Sequence, residues 1–546
     1  MNKKLQNIAF AFVVILVLNY IANSVYKRFD LTVDKRYTLS KVTNNILNKF
    51  DETISINVYL EGEFPAEFKR LQIETRQFLE ELKAINANIH FRFTNPKNIR
   101  KSLVKKGMMP SQLTVEEDGD ISEAIIFPWA EINYKNKTEL VSLLPNSIAK
   151  TQEAQLQNAI EKLEFSFANA LHNISLEKKQ KIAVLAGNGE LEDIHVYSLL
   201  SEVGKKYRLA KFTLDSVATN AKKTLKELTE FDLAIIAKPT ERFTEKEKLT
   251  IDQFITNGGK SLWMIDNNYA DTDSLYNEGK MLAFPRDLNL TDLLFNYQVR
   301  VNNKLIQDLY AAKIPLATGN LGNQAQFKHL NWFYHPLVNG NPYHPITKNI
   351  TPVRFRFTTQ IDTLKGKIKK TPLLVTSVLT KKIGTPNFVE LQSIAKQPRE
   401  NEYNNGPQLL AVLLEGKFTS AYKNRVKPFE TPLFKTESNT NKMIVIADGD
   451  LGKNQILKGK PHDLALDKWT GEQFGNKEFL INAIDYLLDD SGLINLRNKT
   501  LKINLLDKQR AYKEKSFWQL INIGIPLVLL ALFGFVFNYI RKKKYS

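Results

Sequence analysis

Ile182-Ala183-Val184-Leu185-Ala186 is an unbroken apolar run, closed by the turn Gly187-Asn188-Gly189-Glu190 and followed by the helical pattern VYSLLSEVGKKY. A strand with no polar alternation is covered on both faces. Arg208 to Leu214 reads as the next strand, and Leu233 to Ala237 (LAIIA) as a buried one. Thr244 to Asn257 (TEKEKLTIDQFITN) is a helix stopped by Gly258-Gly259, and Ser261 to Asp266 (SLWMID) returns to strand. Strand and helix alternate, which predicts an α/β fold with a parallel, doubly wound sheet. Met443 to Ala447 (MIVIA) is a last buried strand, leading into Asp448-Gly449-Asp450 and the helix Lys477 to Leu488. Residues 285–490 are therefore expected to complete the sheet begun at Ile182. The stretch between is less regular. Leu290 to Tyr297 reads as a helix and Val299 to Asn302 as a strand. Leu316 to Pro345 reads as a loop rich in Asn, Gly, Pro and His. Leu373 to Ser377 and Leu409 to Glu415 read as strands, with Lys381 to Pro407 partly disordered between them.

Upstream, Ser40 reads as an N-cap for a helix over 41–50. Ile54 to Leu60 (ISINVYL) is a strand, Phe64-Pro65 opens a helix, and Ile89 to Phe93 (IHFRF) is the next strand, giving a βαβ unit. Residues 112–144 read as two or three strands with Asp118-Gly119 as a hairpin turn. The arrangement resembles a thioredoxin-like α/β layer without the redox CxxC. Thr151 to Asn173, with Leu156, Ile160, Leu163, Phe167 and Leu171 on one face, bridges this domain to the next.

Both ends are hydrophobic. Leu5 to Tyr26 contains IAFAFVVILVL, with Lys3 and Lys4 before it and Lys27 and Arg28 after it. Phe517 to Ile540 would form a helix of about 36 Å, enough to cross a hydrocarbon core of about 30 Å. Trp518 and Tyr539 sit near its ends, and Arg541, Lys542, Lys543 and Lys544 follow at once. Basic residues are retained on the cytoplasmic side, so this span is expected to run from outside to inside. If the first segment also spans, both termini are cytoplasmic and residues 28–515 lie outside. The alternative for the first segment is a cleaved signal peptide, with Ala22-Asn23-Ser24 as a small-x-small site. Either alternative leaves the same residues outside. The alternative for the second is a buried core helix, against which its length, position and basic tail argue. Asn19, Gln519, Asn522 and Asn538 are polar groups within the two segments that could bond neighbouring helices.

Composition excludes several chemistries. The chain has 546 residues, 43% hydrophobic and 25% charged, with no cysteine and seven histidines. Thiolate metal sites, cysteine nucleophiles and disulfides are thereby excluded. The net charge of +18 suggests an anionic partner or membrane lipid. However, the basic residues are scattered, with no nucleic-acid-binding signature, so no nucleic acid is expected. Gly258-Gly259-Lys260-Ser261 resembles the end of a P-loop, but position 254 is Phe254 and the Lys-Ser enters a strand. Gly187-Asn188-Gly189 lacks the third glycine of a dinucleotide fingerprint, since position 192 is Glu192, and Glu190, Glu192 and Asp193 repel phosphate. His335 and His344 in YHPLVNGNPYHP are a weak metal pair, read as loop packing. Asp448-Gly449-Asp450 does not continue as a calcium loop. No cofactor and no metal is expected. If a ligand binds, the place is the sheet's switch point, lined by Gly187, Asn188, Glu190, Asp266 and Asp448.

Asp30-Leu31-Thr32-Val33-Asp34-Lys35-Arg36-Tyr37-Thr38-Leu39-Ser40, directly after an N-terminal hydrophobic segment, resembles the opening of the GldG family of gliding-motility-associated ABC transporter components. IAVLAGNGELED, FDLAIIAKP, GGKSLWMID and IVIADGDLGKN continue the resemblance, as does the basic-tailed C-terminal segment, so it covers essentially the whole chain. The resemblance implies a non-catalytic auxiliary membrane subunit, with a separate ABC ATPase and a separate permease as partners. It also implies location in a bacterial inner membrane with the bulk of the chain periplasmic. The alternative is a membrane-anchored periplasmic solute-binding protein. The second domain resembles a class I glutamine-amidotransferase-like fold, whose catalytic cysteine is missing, and no G-x-S-x-G serine elbow is present. The expected organisation is a span at 5–26, a thioredoxin-like domain at 29–150, a connecting helix at 151–175, an amidotransferase-like domain at 176–490, a juxtamembrane segment at 491–516 and a span at 517–540.

Overall fold

The computed structural model describes residues 38–498, except 63–65, 118–119, 145–151, 177–178 and 322–323, together with 508–545 and the helical Phe12 and Val14. Apart from Phe12 and Val14, the proposed first span falls outside the described residues, as does the Pro65 helix start. The chain is mixed α/β.

The first sheet begins with α1 (Lys41–Leu47), whose N-cap Ser40 accepts the Thr43 N–H at 3.0 Å. β1 (Ile54–Val58), α2 (Ala66–Ile85) and β2 (Ile89–Phe93) form the expected parallel unit. β3 (Trp129–Tyr134) pairs antiparallel with β1, and β4 (Lys137–Ser142) with β3, giving the order β2-β1-β3-β4. The expected two or three strands are four. Ser111–Glu117 and Asp120–Ile126 make a separate ribbon. Pro128, with no N–H to give a ladder, breaks AIIFPWAEINY into two strands. α3 (Gln152–Ser175) buries Leu156, Ile160, Leu163, Phe167 and Leu171, the predicted face.

The second sheet has seven strands. These are β5 (Lys181–Ala186), β6 (Arg208–Thr213), β7 (Leu233–Ala237), β8 (Lys260–Met264), β9 (Lys369–Val375), β10 (Leu409–Thr419) and β11 (Glu437–Ile446). Their order is β9-β10-β11-β8-β7-β5-β6. The pairs β6–β5, β5–β7, β7–β8 and β8–β11 are parallel, whereas β10 runs antiparallel to both its neighbours. Late strands thus join a sheet begun at Lys181, as the apolar run MIVIA predicted.

Period-two geometry divides the strands between two cores. Ala183, Leu185, Ala234, Ile236 and Trp263 point to one face, where α5 (Val217–Leu228) and α6 (Glu245–Thr256) pack with Val217, Leu228, Leu249 and Phe254. Ile182, Leu233, Ile235, Leu262 and Ile444 point to the other, under α4 (Asp193–Lys206) and α7 (Asn476–Leu488). Each such fully buried side chain contributes roughly 1.5–3 kcal/mol, which is why these strands carry no polar face. α6 starts with a complete capping box, Thr244 with Glu247.

Two expectations are corrected. Leu316 to Pro345 is not a loop: Ala311–Leu321 and Gln324–Val338 form a long antiparallel hairpin. Lys381 to Pro407 is ordered. Thr380–Ile383 pairs with Leu305–Asp308, and Asn387–Glu390 with Lys280–Ala283. Both corrections turn on pairing between segments far apart in sequence.

The C-terminal unit, residues 500–546, contains α8 (Lys515–Tyr545). Among the described residues it holds the one helix long and apolar enough to cross a membrane, over Lys515–Lys544. Leu520, Phe533 and Phe535 on it are largely exposed.

Candidate functional site

Parallel strands deliver their carboxyl ends to one edge. β5 ends at Ala186, β7 at Ala237, β8 at Met264 and β11 at Ile446. The chain leaves β5 for β6 on one side and returns to β7 on the other, so a switch point lies between β5 and β7.

After β5, the predicted residues Gly187, Asn188 and Glu190 form a closed turn. Gly187 (φ 113°) and Gly189 (φ 67°) are left-handed, and a Cβ on Gly189 would fall 2.0 Å from Thr240 Oγ1. Asn188 N donates to Glu190 Oε2 (2.8 Å), and Asn188 O accepts from Thr240 N and Glu241 N (both 2.9 Å). Asn188 is buried and its Nδ2 reaches Glu247 Oε2 at 3.3 Å, tying the turn to the α6 cap. Burial, reinforced by Glu247, pushes the Glu190 carboxyl above its usual range. Glu190 Oε1 is buried with no partner.

After β8 and β11, the predicted Asp266 and Asp448 meet residues the sequence reading did not select. Lys238 follows β7 with φ 55°, left-handed for a residue with a side chain. Its Nζ lies 2.6 Å from Asp450 Oδ1 and 3.4 Å from Asp266 Oδ2, and all three side chains are buried. Asp266 Oδ1 accepts Gly449 N at 2.6 Å. Asp448 accepts Asp450 N (2.8 Å) and Arg356 N (2.6 Å). Gly449 is required here, because a Cβ would stand 2.6 Å from Lys238 Cγ. Burial raises Asp266 and Asp448, and for Asp448 the neighbouring carboxylates add to it. Burial also opposes ionisation of Asp450, but Lys238, Lys453 and Arg356 outweigh it and hold that carboxyl down to about 2. The cluster stitches the ends of three strands, β7, β8 and β11, together through one shared cation.

Two adjoining cavities open at this edge. One, of about 500 Å³, is lined by Glu190, Lys238, Arg286 and the stacked pair Tyr269–Phe284. The other, of about 190 Å³, is lined by Asp450, His335, Arg354, Arg356 and Asp467. His195, Asp271, Asp273 and Lys453 line both. Of the five predicted residues Glu190 lines one of these two cavities; Gly187, Asn188, Asp266 and Asp448 line neither of them.

Arg354 and Arg356 come from the alternation Val353-Arg354-Phe355-Arg356-Phe357, in which Phe355 and Phe357 are buried. That period-two pattern was the signal available in the sequence. Arg354 Nη1 holds Asp467, and its guanidinium lies 4.4 Å from the Phe474 ring centroid. His335 and His344 have separate surroundings. His335 is buried beside Phe357, while His344 packs on Tyr486 and accepts Ile346 N at 3.3 Å. Among the described residues no three His, Asp or Glu side chains converge as a metal site.

Residues 179–483 match the model of a family described as an ABC-type uncharacterized transport system, and residues 33–133 match a domain of unknown function, DUF7088. An uncharacterized protein of Borreliella burgdorferi is 22% identical over 552 aligned positions, covering 97% of this chain and 96% of its own. Among solved structures, the mmIFT52 N-terminal domain aligns with 57% of this chain and 99% of its own, at 14% identity and a TM-score of 0.33.

Proposed function

The chain belongs to the ABC-type uncharacterized transport system family, and from that premise we propose that it is a non-catalytic auxiliary membrane subunit of the GldG kind, serving gliding motility. Family membership makes it an auxiliary component of a membrane-associated transport system that works with other ABC transporter components. The finer reading is that a separate ATPase and a separate permease supply energy and passage. This chain then contributes a periplasmic scaffold or recognition region, anchored in the bacterial inner membrane.

The observation that carries this reading is α8, an exposed apolar helix ending in Arg541 to Lys544. A cytoplasmic C-terminus follows from that basic end. With Leu5 to Tyr26 as a second span, both termini are cytoplasmic. Gln519 and Asn522 are exposed on α8 and available to neighbouring helices. We read 29–150 as thioredoxin-like, because its order β2-β1-β3-β4 joins a parallel unit to an antiparallel hairpin. We read 151–175 as a connecting helix and 176–490 as amidotransferase-like, on the order β6-β5-β7-β8-β11 of its parallel strands. Residues 491–516 are the juxtamembrane segment before the span at 517–540.

Purification of the full chain from its own membranes in mild detergent tests the reading. Recovery with an ATPase and a permease is expected, and a lone monomer would overturn it. A reporter fused after Ser546 should be active only in the cytoplasm.

A second reading, a membrane-anchored solute-binding protein, is favoured by the cavities at the switch point. Glu190 would line its site, with Gly187, Asn188, Asp266 and Asp448 shaping it.

A further inference from the structure

In the wall of the 190 Å³ cavity Arg354, Lys313 and Lys453 are paired with the carboxylates Asp467, Glu472 and Asp273, whereas Arg356 has no such partner among the described residues. Arg354 and Arg356 are two residues apart on one extended segment, and Lys313, Lys453 and Lys468 line the same space. The acidic groups there are already engaged. Asp467 holds Arg354, and Asp450 holds Lys238. Asp271 caps a helix through Ser274 N at 3.1 Å. Asp273 stands 3.7 Å from Lys453. By contrast, the Arg356 guanidinium makes no ion pair and no hydrogen bond among the described residues.

Four further polar atoms of lining residues are left over, one of them His195 Nδ1. Arg354 is 7% exposed, and its Nε is buried with no partner. His335 is 3% exposed, and neither ring nitrogen has a partner. Each unsatisfied buried donor costs on the order of 1–3 kcal/mol, so such a concentration in one cavity needs an explanation. Burial, together with Arg356 and Arg354, keeps His335 neutral, with one N–H to donate. Burial and the adjacent Arg356 also lower the Arg354 guanidinium to about 10. Arg354 is already paired with Asp467, so Arg356 is the guanidinium whose charge an anion in the cavity would meet.

We propose that this cavity binds the oxyanion group of a small solute, a phosphate or a carboxylate, between Arg356, the free Nε of Arg354 and the N–H of His335. Its volume lies below the 300–1,000 Å³ usual for drug-sized ligands. A head group therefore fits, and the adjoining 500 Å³ cleft, which shares His195 and Lys453, leaves room for the rest of a larger molecule. The proposal goes beyond the auxiliary-subunit reading and does not depend on it, because an auxiliary subunit with or without this ligand would still co-purify with its transporter.

The test is thermal unfolding of the full-length protein in detergent. Inorganic phosphate and succinate are each compared with chloride at matched ionic strength. A saturable rise in Tm with phosphate, with succinate or with both is expected, and which of them acts assigns the oxyanion. No rise beyond chloride for either overturns the proposal. Arg356→Gln should weaken the effective oxyanion at least tenfold, and the ligand-induced shift is read against the variant's own ligand-free Tm, because Arg356 also helps to hold Asp450 ionised. A variant that keeps the full shift overturns it. Should R356Q not fold, Arg356→Lys decides: it keeps the charge but loses the planar fork, a several-fold loss is expected, and an unchanged shift overturns the proposal.

Discussion

Lys238 Nζ lies 2.6 Å from Asp450 Oδ1, a buried ion pair joining the end of β7 to the turn after β11. Asp266 lies 3.4 Å from the same Nζ, and Asp448 also acts on its charge. Removing Lys238 leaves buried Asp450 and Asp266 without their direct ion-pair partner, the costly half of buried-pair mutagenesis. Lys238→Met should destabilise the protein by about 3–5 kcal/mol in denaturant unfolding. Adding Asp450→Leu should recover part of that loss. A single-variant cost below about 1 kcal/mol would mean that the pair does not hold the edge.

Acid should act through the buried histidines. Burial depresses His344 to about 4 and His335 well below its ordinary value. With the folded pKa below the unfolded one, the unfolded chain takes up the proton first. The histidine contribution is therefore full above about 6.5 and is lost as the pH falls toward 4. Asp266 and Asp448 have raised values and slope the other way, so the clean measurement is a difference between proteins. His344→Phe keeps the ring packing on Tyr486 and removes one titration. Its Tm should fall less than that of the parent between pH 6.5 and 4. Parallel curves would refute the assignment.

The false P-loop has a packing explanation. A Cβ on Gly259 would stand 2.3 Å from the Phe254 ring, which lies in the core beneath β8. Gly259→Ala should therefore cost about 1–3 kcal/mol by overpacking, with no nucleotide involved. A stability within error of the parent would show that the ring can move aside.

What the sequence made legible followed from local physics. Runs such as LAIIA and MIVIA are covered on both faces, so they announced a parallel sheet, and the switch-point rule then found its carboxyl edge. What it hid was assembled from afar. The hairpin Ala311–Leu321 with Gln324–Val338 keeps Phe327, Lys328 and His329 exposed, so no apolar alternation marks it. Thr380–Ile383 is ordered by pairing with Leu305–Asp308, some 75 positions away, and nothing in its own composition says so. The same holds at the edge. Asp266 and Asp448 were selectable as strand-end carboxylates, whereas nothing local marked Lys238 as their cation. Arg354 and His335 became site residues only when the hairpin and the segment at 353–357 came together.

The motif that suggested the family ends in Ser40, and its structural role can be measured. Ser40 N donates to Glu164 Oε1 at 2.7 Å, and Thr43 Oγ1 donates to the same oxygen at 2.8 Å. Glu164 lies on α3 and is 5% exposed, so one buried carboxylate ties the start of α1 to the long helix. Ser40→Ala removes only the cap and should cost about 1 kcal/mol. Glu164→Ala strands two donors, the half-buried Ser40 N–H and the buried Thr43 hydroxyl, and should cost more, about 2–4 kcal/mol on the usual penalty for each unsatisfied group. Glu164→Gln keeps an acceptor oxygen and should fall between them. Denaturant unfolding of the three full-length variants orders the costs. If Glu164→Ala proves no more damaging than Ser40→Ala, the opening motif is a helix cap and nothing more, and its tie to α3 contributes no stability.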